Sequence, residues 1–273
     1  MSAQTITSTS ALQEHSTSRE PDQYTLWQIF GIWLAGSVPM WIFGWMIAPV
    51  IVPRSPLPPP ITYWSLMIAG MAWQFVLSCV ILYRELGTWN WKAICKRIWL
   101  QMPHDPKTHQ PNPRLFLWLV PAIVIYGLIG FGLAKYLDAP VAWLFPALHP
   151  AAYQDPNQLA ALNLRGQWWL LGLAVVSAIF NYVLGEELLF RGILLPKMRG
   201  AFGKHDWLAN AVLFGMYHLH KPWGIGTNIA QSLVLTLPAR RFRSNWMAFA
   251  VHATESILMF VGILAVILGM SGG

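Results

Sequence analysis

Glu186 and Glu187 stand side by side near the end of an apolar run, four residues before Arg191, in the stretch Gly185-Glu186-Glu187-Leu188-Leu189-Phe190-Arg191-Gly192. On a helix, residues four apart share a face, so Glu187 and Arg191 form a natural carboxylate–guanidinium pair. Glu186 points about 100° away from its neighbour. It is left free to face a cavity, where a carboxylate poorly served by water suits a general base. The alternative is a helix end at which both acids and the arginine simply meet water. Further along, Asn210, Phe214 and His218 recur every fourth residue, a single polar and aromatic stripe. His218 can serve catalysis or join two helices by a hydrogen bond. His220, next to Lys221-Pro222, is expected at the surface. The stretch His252-Ala253-Thr254-Glu255-Ser256 puts His252 and Ser256 on one face, with Glu255 a second carboxylate or a partner for a base.

These groups matter because of where they sit. The chain is 55% hydrophobic and only 11% charged, against about 25% charge in a soluble domain. Sixteen tryptophans point the same way, since indole rings favour the membrane–water interface. An ionisable side chain inside a membrane span is costly unless paired, so its presence marks function or close pairing. The first three apolar runs carry almost none.

The predicted fold is all-α, a polytopic helical bundle of seven to eight membrane segments. Residues 1–23 are polar and read as a disordered tail, with neither the basic start nor the early apolar run of a secretory signal. Apolar runs follow at Leu26–Val52, Ile61–Tyr83, Leu115–Leu137, Trp168–Phe190 or slightly beyond, and Trp246–Leu268, each near the ~20 residues that a span needs. Trp207–His220 and Gly224–Leu237 are shorter, a pair of thin spans or a hairpin dipping in and out. Residues 24–167 then form a scaffold, with a basic loop at 84–114, and 168–270 carry the chemistry.

Charge placement orients the bundle. With the N-terminus inside, fourteen of the eighteen Lys and Arg fall in inner connections, and Arg54, Lys135, Arg165 and Lys221 fall outside. This positive-inside bias predicts a cytoplasmic N-terminus and an external C-terminus. The formal charge of +7 therefore reads as membrane orientation, not as a nucleic-acid groove. Within the basic loop, Trp91, Ile94, Cys95, Ile98 and Met102 keep helical spacing, as in a short helix lying on an anionic leaflet. Cys79 and Cys95 have no metal-site or disulfide spacing. Zinc held by Glu and His is the open alternative, without the His-Glu-x-x-His signature.

Glu186-Glu187-x-x-x-Arg191, then Phe214-x-x-x-His218, then His252 early in a late span, resembles the pattern of the CAAX-protease and bacteriocin-processing family, intramembrane glutamic proteases also called the Abi family. The resemblance covers roughly Gly185–Ser256, about a quarter of the chain. It departs at one place, with Ser256 where the family has Asn. What it implies is a metal-independent endopeptidase with no cofactor, acting on a membrane-presented protein or peptide. Glu186 and His218 activate a water, and His252 with Ser256 stabilises the oxyanion. Glu187, Arg191 and Phe214 give structural support. Its partners are membrane lipids and that substrate. Two other classes compete: a non-catalytic immunity, assembly or adaptor protein, and a transporter or proton relay. The transporter reading lacks internal repeats.

Overall fold

The computed structural model describes residues 23–270 apart from 147, 149 and 156, so the polar tail expected at the N-terminus lies almost wholly outside the described residues. The architecture is all-α. Among the described residues eight helices carry it, shorter turns aside: α1 Leu26–Arg54, α2 Pro59–Leu86, α3 Trp91–Arg97, α4 Pro113–Leu144, α5 Trp169–Lys197, α6 Asp206–Tyr217, α7 Ile225–Phe242 and α8 Trp246–Leu268. Five of them (α1, α2, α4, α5 and α8) are long and apolar enough to cross a membrane. Helices α6 and α7 are the expected shorter pair. Among the described residues the only β pairing is one isolated bridge between His104 and Pro111.

Local sequence sets the ends of these helices. Thr25 caps α1 in a capping box with Gln28, Oγ1 accepting from the Gln28 backbone N–H at 3.2 Å while the Gln28 side chain accepts from the Thr25 N–H at 2.8 Å. Two glycines in the left-handed region, Gly87 and Gly269, close α2 and α8. Helix α5 runs seven residues past Phe190, so the catalytic-type motif lies inside a span and not at its interfacial end.

The outward faces are greasy, as a bilayer demands. On α4, Leu117, Val120, Val124, Leu128 and Phe131 are exposed, and only 11% of its most apolar window is buried against 50% for α5. Helix α4 is therefore a lipid-facing stave and α5 the central post. The main core gathers around α5: Leu189, Phe190, Ile193 and Leu194 pack with Ile29 and Met40 of α1, Met67 and Met71 of α2, and Phe214 and Tyr217 of α6.

The helix ends rich in Lys and Arg come together at one end of the bundle. There Arg97 of α3 binds Glu85 of α2 at 2.6 Å and donates to the carbonyls of Gly192 and Ile193 in α5 at 3.1 Å each. Lys197 also reaches Glu85, at 3.2 Å, and the Tyr24 hydroxyl donates to the same carboxylate. Of the interfacial helix expected in this loop, Trp91–Arg97 is helical. Its apolar side is divided: Ile94 and Ile98 are buried in the core, whereas Trp91 and Met102 face outward.

Helix α5 is not regular around the acidic pair. Phe180–Leu184 and Leu188–Leu194 wind as π-helical turns, with Gly185 between them at φ −90°, ψ −88°. A Cβ on Gly185 would lie 2.5 Å from the Phe180 carbonyl oxygen and 2.9 Å from that of Met71 in α2. Both obstacles are backbone, so neither can step aside. Gly185→Ala is expected to push α2 away from α5, lowering the unfolding temperature in detergent and abolishing whatever activity the wild type shows. A variant with unchanged unfolding temperature would show that the two helices do not pack this closely.

Candidate active site

Glu187 and Arg191 make the expected i,i+4 pair, 2.9 Å apart and both fully buried. Such a pair is tolerated only with further partners. Arg191 Nη2 donates to Ser232 Oγ of α7 at 2.5 Å, and its guanidinium lies 4.0 Å from the centroid of the Phe214 ring on α6. The same Glu187 oxygen that receives Arg191 also faces His252 Nδ1 of α8 at 2.9 Å. A carboxylate only accepts, so Nδ1 carries the proton and Nε2 is the nitrogen turned toward Glu186.

Glu186 projects to the other side, as its place on the helix requires. It is buried, accepts from the Tyr217 hydroxyl at 3.0 Å and meets no arginine. His218 Nε2 lies 3.9 Å from Glu186 Oε1, and His252 Nε2 lies 4.0 Å from Oε2. His218 Nδ1 donates to the Phe214 carbonyl at 2.9 Å, which again leaves Nε2 facing the carboxylate. Both separations exceed a direct hydrogen bond and suit a bridging water. A small cavity of about 50 Å³ opens there, lined by Glu186, His218, His252, Tyr126, Asn228 and Glu255 among others. A water needs on the order of 30 Å³, so one or two fit. A larger cavity of about 370 Å³ reaches Glu186 from the end of the bundle opposite the basic cluster, passing Met67, Met71, Met259, Tyr63 and Lys221.

The remaining expected residues are placed as follows. Phe214 underlies the cluster, its ring edge-on to His218 at 4.9 Å and to His252 at 6.1 Å. Asn210, first of the stripe, is structural: it donates to the Phe190 carbonyl at 2.8 Å, within the π turn. Ser256 is not brought into the cluster. Its hydroxyl donates to the Ala253 carbonyl of its own helix at 2.5 Å, a common use of a helical serine. His220, expected at the surface, is buried. The chain turns tightly over His218–His220, and that packs His220 against Gly44 of α1 and the ring of Tyr217. Glu255 accepts from Tyr126 at 2.6 Å and stands 3.8 Å from His252 Nε2. Among the described residues no group of three His, Cys, Asp or Glu side chains is arranged to hold a metal ion.

Several contributors had no motif to announce them. Tyr217 is next to His218 in sequence, and a regular helix would turn the two about 100° apart. The helix ends between them, and both reach Glu186. Asn181 stands five residues before Glu186, and its amide nitrogen donates to both carboxylate oxygens at 3.0 and 3.3 Å when the amide is oriented to suit them. The i→i+5 winding of the intervening π turn aligns that spacing. Tyr126 arrives from α4, far away in sequence.

Residues 166–258 match the family described as "Rce1-like: Type II CAAX prenyl endopeptidase Rce1-like". Over that stretch the chain is similar to that family. The resemblance read from the glutamate, phenylalanine and histidine motifs therefore holds, across about a third of the chain. The Rce1-like stretch includes Glu186, Glu187, Arg191, Phe214, His218, His252 and Ser256; Tyr126 lies outside it. Comparison with curated proteins gave no match, and neither did comparison with solved structures.

Because Arg191 has no solvent route and Glu187 would be left charged without it, Arg191→Ala is expected to cost about 3–5 kcal/mol, the usual cost of orphaning a buried charge. The readout is the yield and unfolding temperature of purified protein. Normal yield with only turnover lost would give the arginine a chemical role instead.

Proposed function

We propose that the protein is an intramembrane endopeptidase that cleaves a peptide bond of a membrane-presented protein or peptide with a water activated by Glu186 and His218. The observation that carries this reading is the convergence of Glu186, His218 Nε2 and His252 Nε2 on one water-sized gap, inside the stretch similar to the type II CAAX prenyl endopeptidases. The water donates one hydrogen bond to Glu186 and the other to His218 Nε2, and its lone pair faces the larger cavity. As its oxygen attacks the carbonyl carbon, Glu186 takes its proton. The oxyanion that forms is met by a protonated His252, which uses Nδ1–H on Glu187 and offers Nε2–H to the oxygen. The Asn228 amide lining the same cavity is the second donor, in place of Ser256. Glu186 then gives its proton to the leaving nitrogen as the C–N bond breaks, releasing a carboxylic acid and an amine. No covalent acyl-enzyme forms, and no cofactor takes part.

Glu186→Gln keeps the Tyr217 contact and loses the base. Cleavage of a membrane-borne peptide should fall by about 10²–10⁴ at unchanged protein level. His218→Ala should fall similarly, and the double variant little further, because the two act on one water. Ser256→Asn should leave the rate unchanged, and a chelator should not inhibit. Wild-type turnover in Glu186→Gln would refute the reading, and chelator-sensitive turnover would return zinc to consideration.

The same proposal orients the bundle with its basic end at the cytoplasm, by the positive-inside bias. The larger cavity then approaches Glu186 from the outer half of the bilayer. A reporter fused at the C-terminus should be active only outside the cytoplasm; activity only within it would reverse the orientation.

A further inference from the structure

The basic end of the bundle encloses a third cavity, of about 490 Å³, remote from Glu186, between α3, the end of α5 and the end of α7. Of its described lining residues six are Lys or Arg, and one is an acid, Asp206. Three of the cations are answered by carboxylates: Arg97 and Lys197 by Glu85, and Arg240 by Asp206 at 2.5 Å. The other three, Lys96, Arg199 and Arg243, are exposed and make no ion pair among the described residues. They come from three separate parts of the chain and converge on one hollow. Concentrating cations in a concavity costs self-repulsion, which an anion relieves.

The walls are held in place. Gln101 Nε2 donates to the Arg243 carbonyl at 3.1 Å, Ser244 Oγ to the Gln101 carbonyl at 2.6 Å, and the Asn245 backbone N–H to the Trp99 carbonyl at 2.8 Å. Trp99 and Arg243, both lining residues, hold left-handed backbone angles (φ 54° and 47°) that non-glycine residues seldom adopt.

Two neighbouring features specify the anion. Exposed indoles of Trp27, Trp91, Trp118 and Trp246 stand in the first turns of the helices that start at this end of the bundle, so the cavity lies at headgroup depth. Beside it, a nearly wholly apolar groove of about 390 Å³ runs between α4 and α7, lined by Ile125, Val234 and Leu237 among others. It begins at Trp207 and Phe242, the chain neighbours of Asp206 and Arg243 in the basic cavity. Soluble phosphate has no use for such a groove, whereas an acyl chain fills it.

We propose that this end of the protein is a binding site for one anionic phospholipid, its phosphate held by Lys96, Arg199 and Arg243 and an acyl chain laid in the groove between α4 and α7. Because Arg199 follows the helix that carries Glu186, and Lys96 belongs to α3, the lipid fastens α3 to the end of the catalytic helix.

The test uses the full chain in detergent with phosphatidylglycerol, phosphatidylcholine or glycerol phosphate, and native mass spectrometry to count what is retained. Wild type should retain one phosphatidylglycerol and discriminate against phosphatidylcholine. The triple variant K96Q/R199Q/R243Q changes only exposed side chains without ion pairs, so its unfolding temperature without lipid should match wild type. Its phosphatidylglycerol affinity should fall roughly a hundredfold, about fivefold per cation. The single variant Arg199→Gln, folded by any measure, should lose about fivefold. Equal retention by wild type and both variants, or equal retention of phosphatidylcholine, would overturn the site. Glycerol phosphate binding as tightly as the lipid would overturn the assignment to a lipid and leave a soluble phosphate as ligand.

Discussion

One buried charge network holds the candidate site together: Arg191, Glu187 and His252 in a row, all buried. A charge in hydrocarbon is costly unless it is paired. Arg191 is answered by Glu187 on its own helix, the Ser232 hydroxyl of α7 and the Phe214 face of α6; Glu187 then fixes His252 of α8. Four helices are thereby locked at one point. On the proposed mechanism, the same network decides which of the two adjacent glutamates can react. Glu187 is held by a guanidinium and an imidazole, while Glu186, one residue away, receives only neutral donors and faces open space. Two carboxylates of identical chemistry are separated in role by 100° of helix.

The rest of the bundle supports that point according to its solvent. Helix α4 presents most of its surface to lipid and contributes one group, Tyr126, which holds Glu255 beside His252. Helices α1 and α2 supply the apolar side of the core and the methionine-lined approach to Glu186. At the basic end, Arg97 supplies donors to two carbonyls of α5, those of Gly192 and Ile193. The irregular winding of α5 follows the same logic. Side chains donate to carbonyls of its second π turn, Asn210 at Phe190 beside the Leu195 backbone N–H, and Arg97 at Gly192 and Ile193.

Much of this was legible before any coordinates. An 11% charged chain with apolar runs near span length dictates a membrane bundle, and α8 has the limits expected of it, Trp246–Leu268. The Glu187–Arg191 contact follows from helical spacing alone. What escaped were contacts that depend on departures from regular helix. The π turn that brings Asn181 to Glu186, the break that turns both Tyr217 and His218 onto it, and the tight turn that buries His220 leave no periodic trace. Ser256 shares a helical face with His252, yet its hydroxyl found the Ala253 carbonyl of its own helix first. Tyr126 was invisible because its partner lies 129 residues away.

The central claim is that Glu186 and His218 deliver a solvent water to a carbonyl carbon and that His252 receives the oxygen. It is tested most directly with a substrate-like peptide ketone, ¹³C-labelled at the carbonyl, bound to lipid-reconstituted protein and observed by carbon NMR in ¹⁸O-enriched water. The account predicts a tetrahedral hydrate at the labelled carbon, carrying one oxygen derived from solvent, formed on wild type and absent on Glu186→Gln. A ketone that binds but stays unhydrated on wild type, or one that forms a bond to a protein side chain, would contradict it.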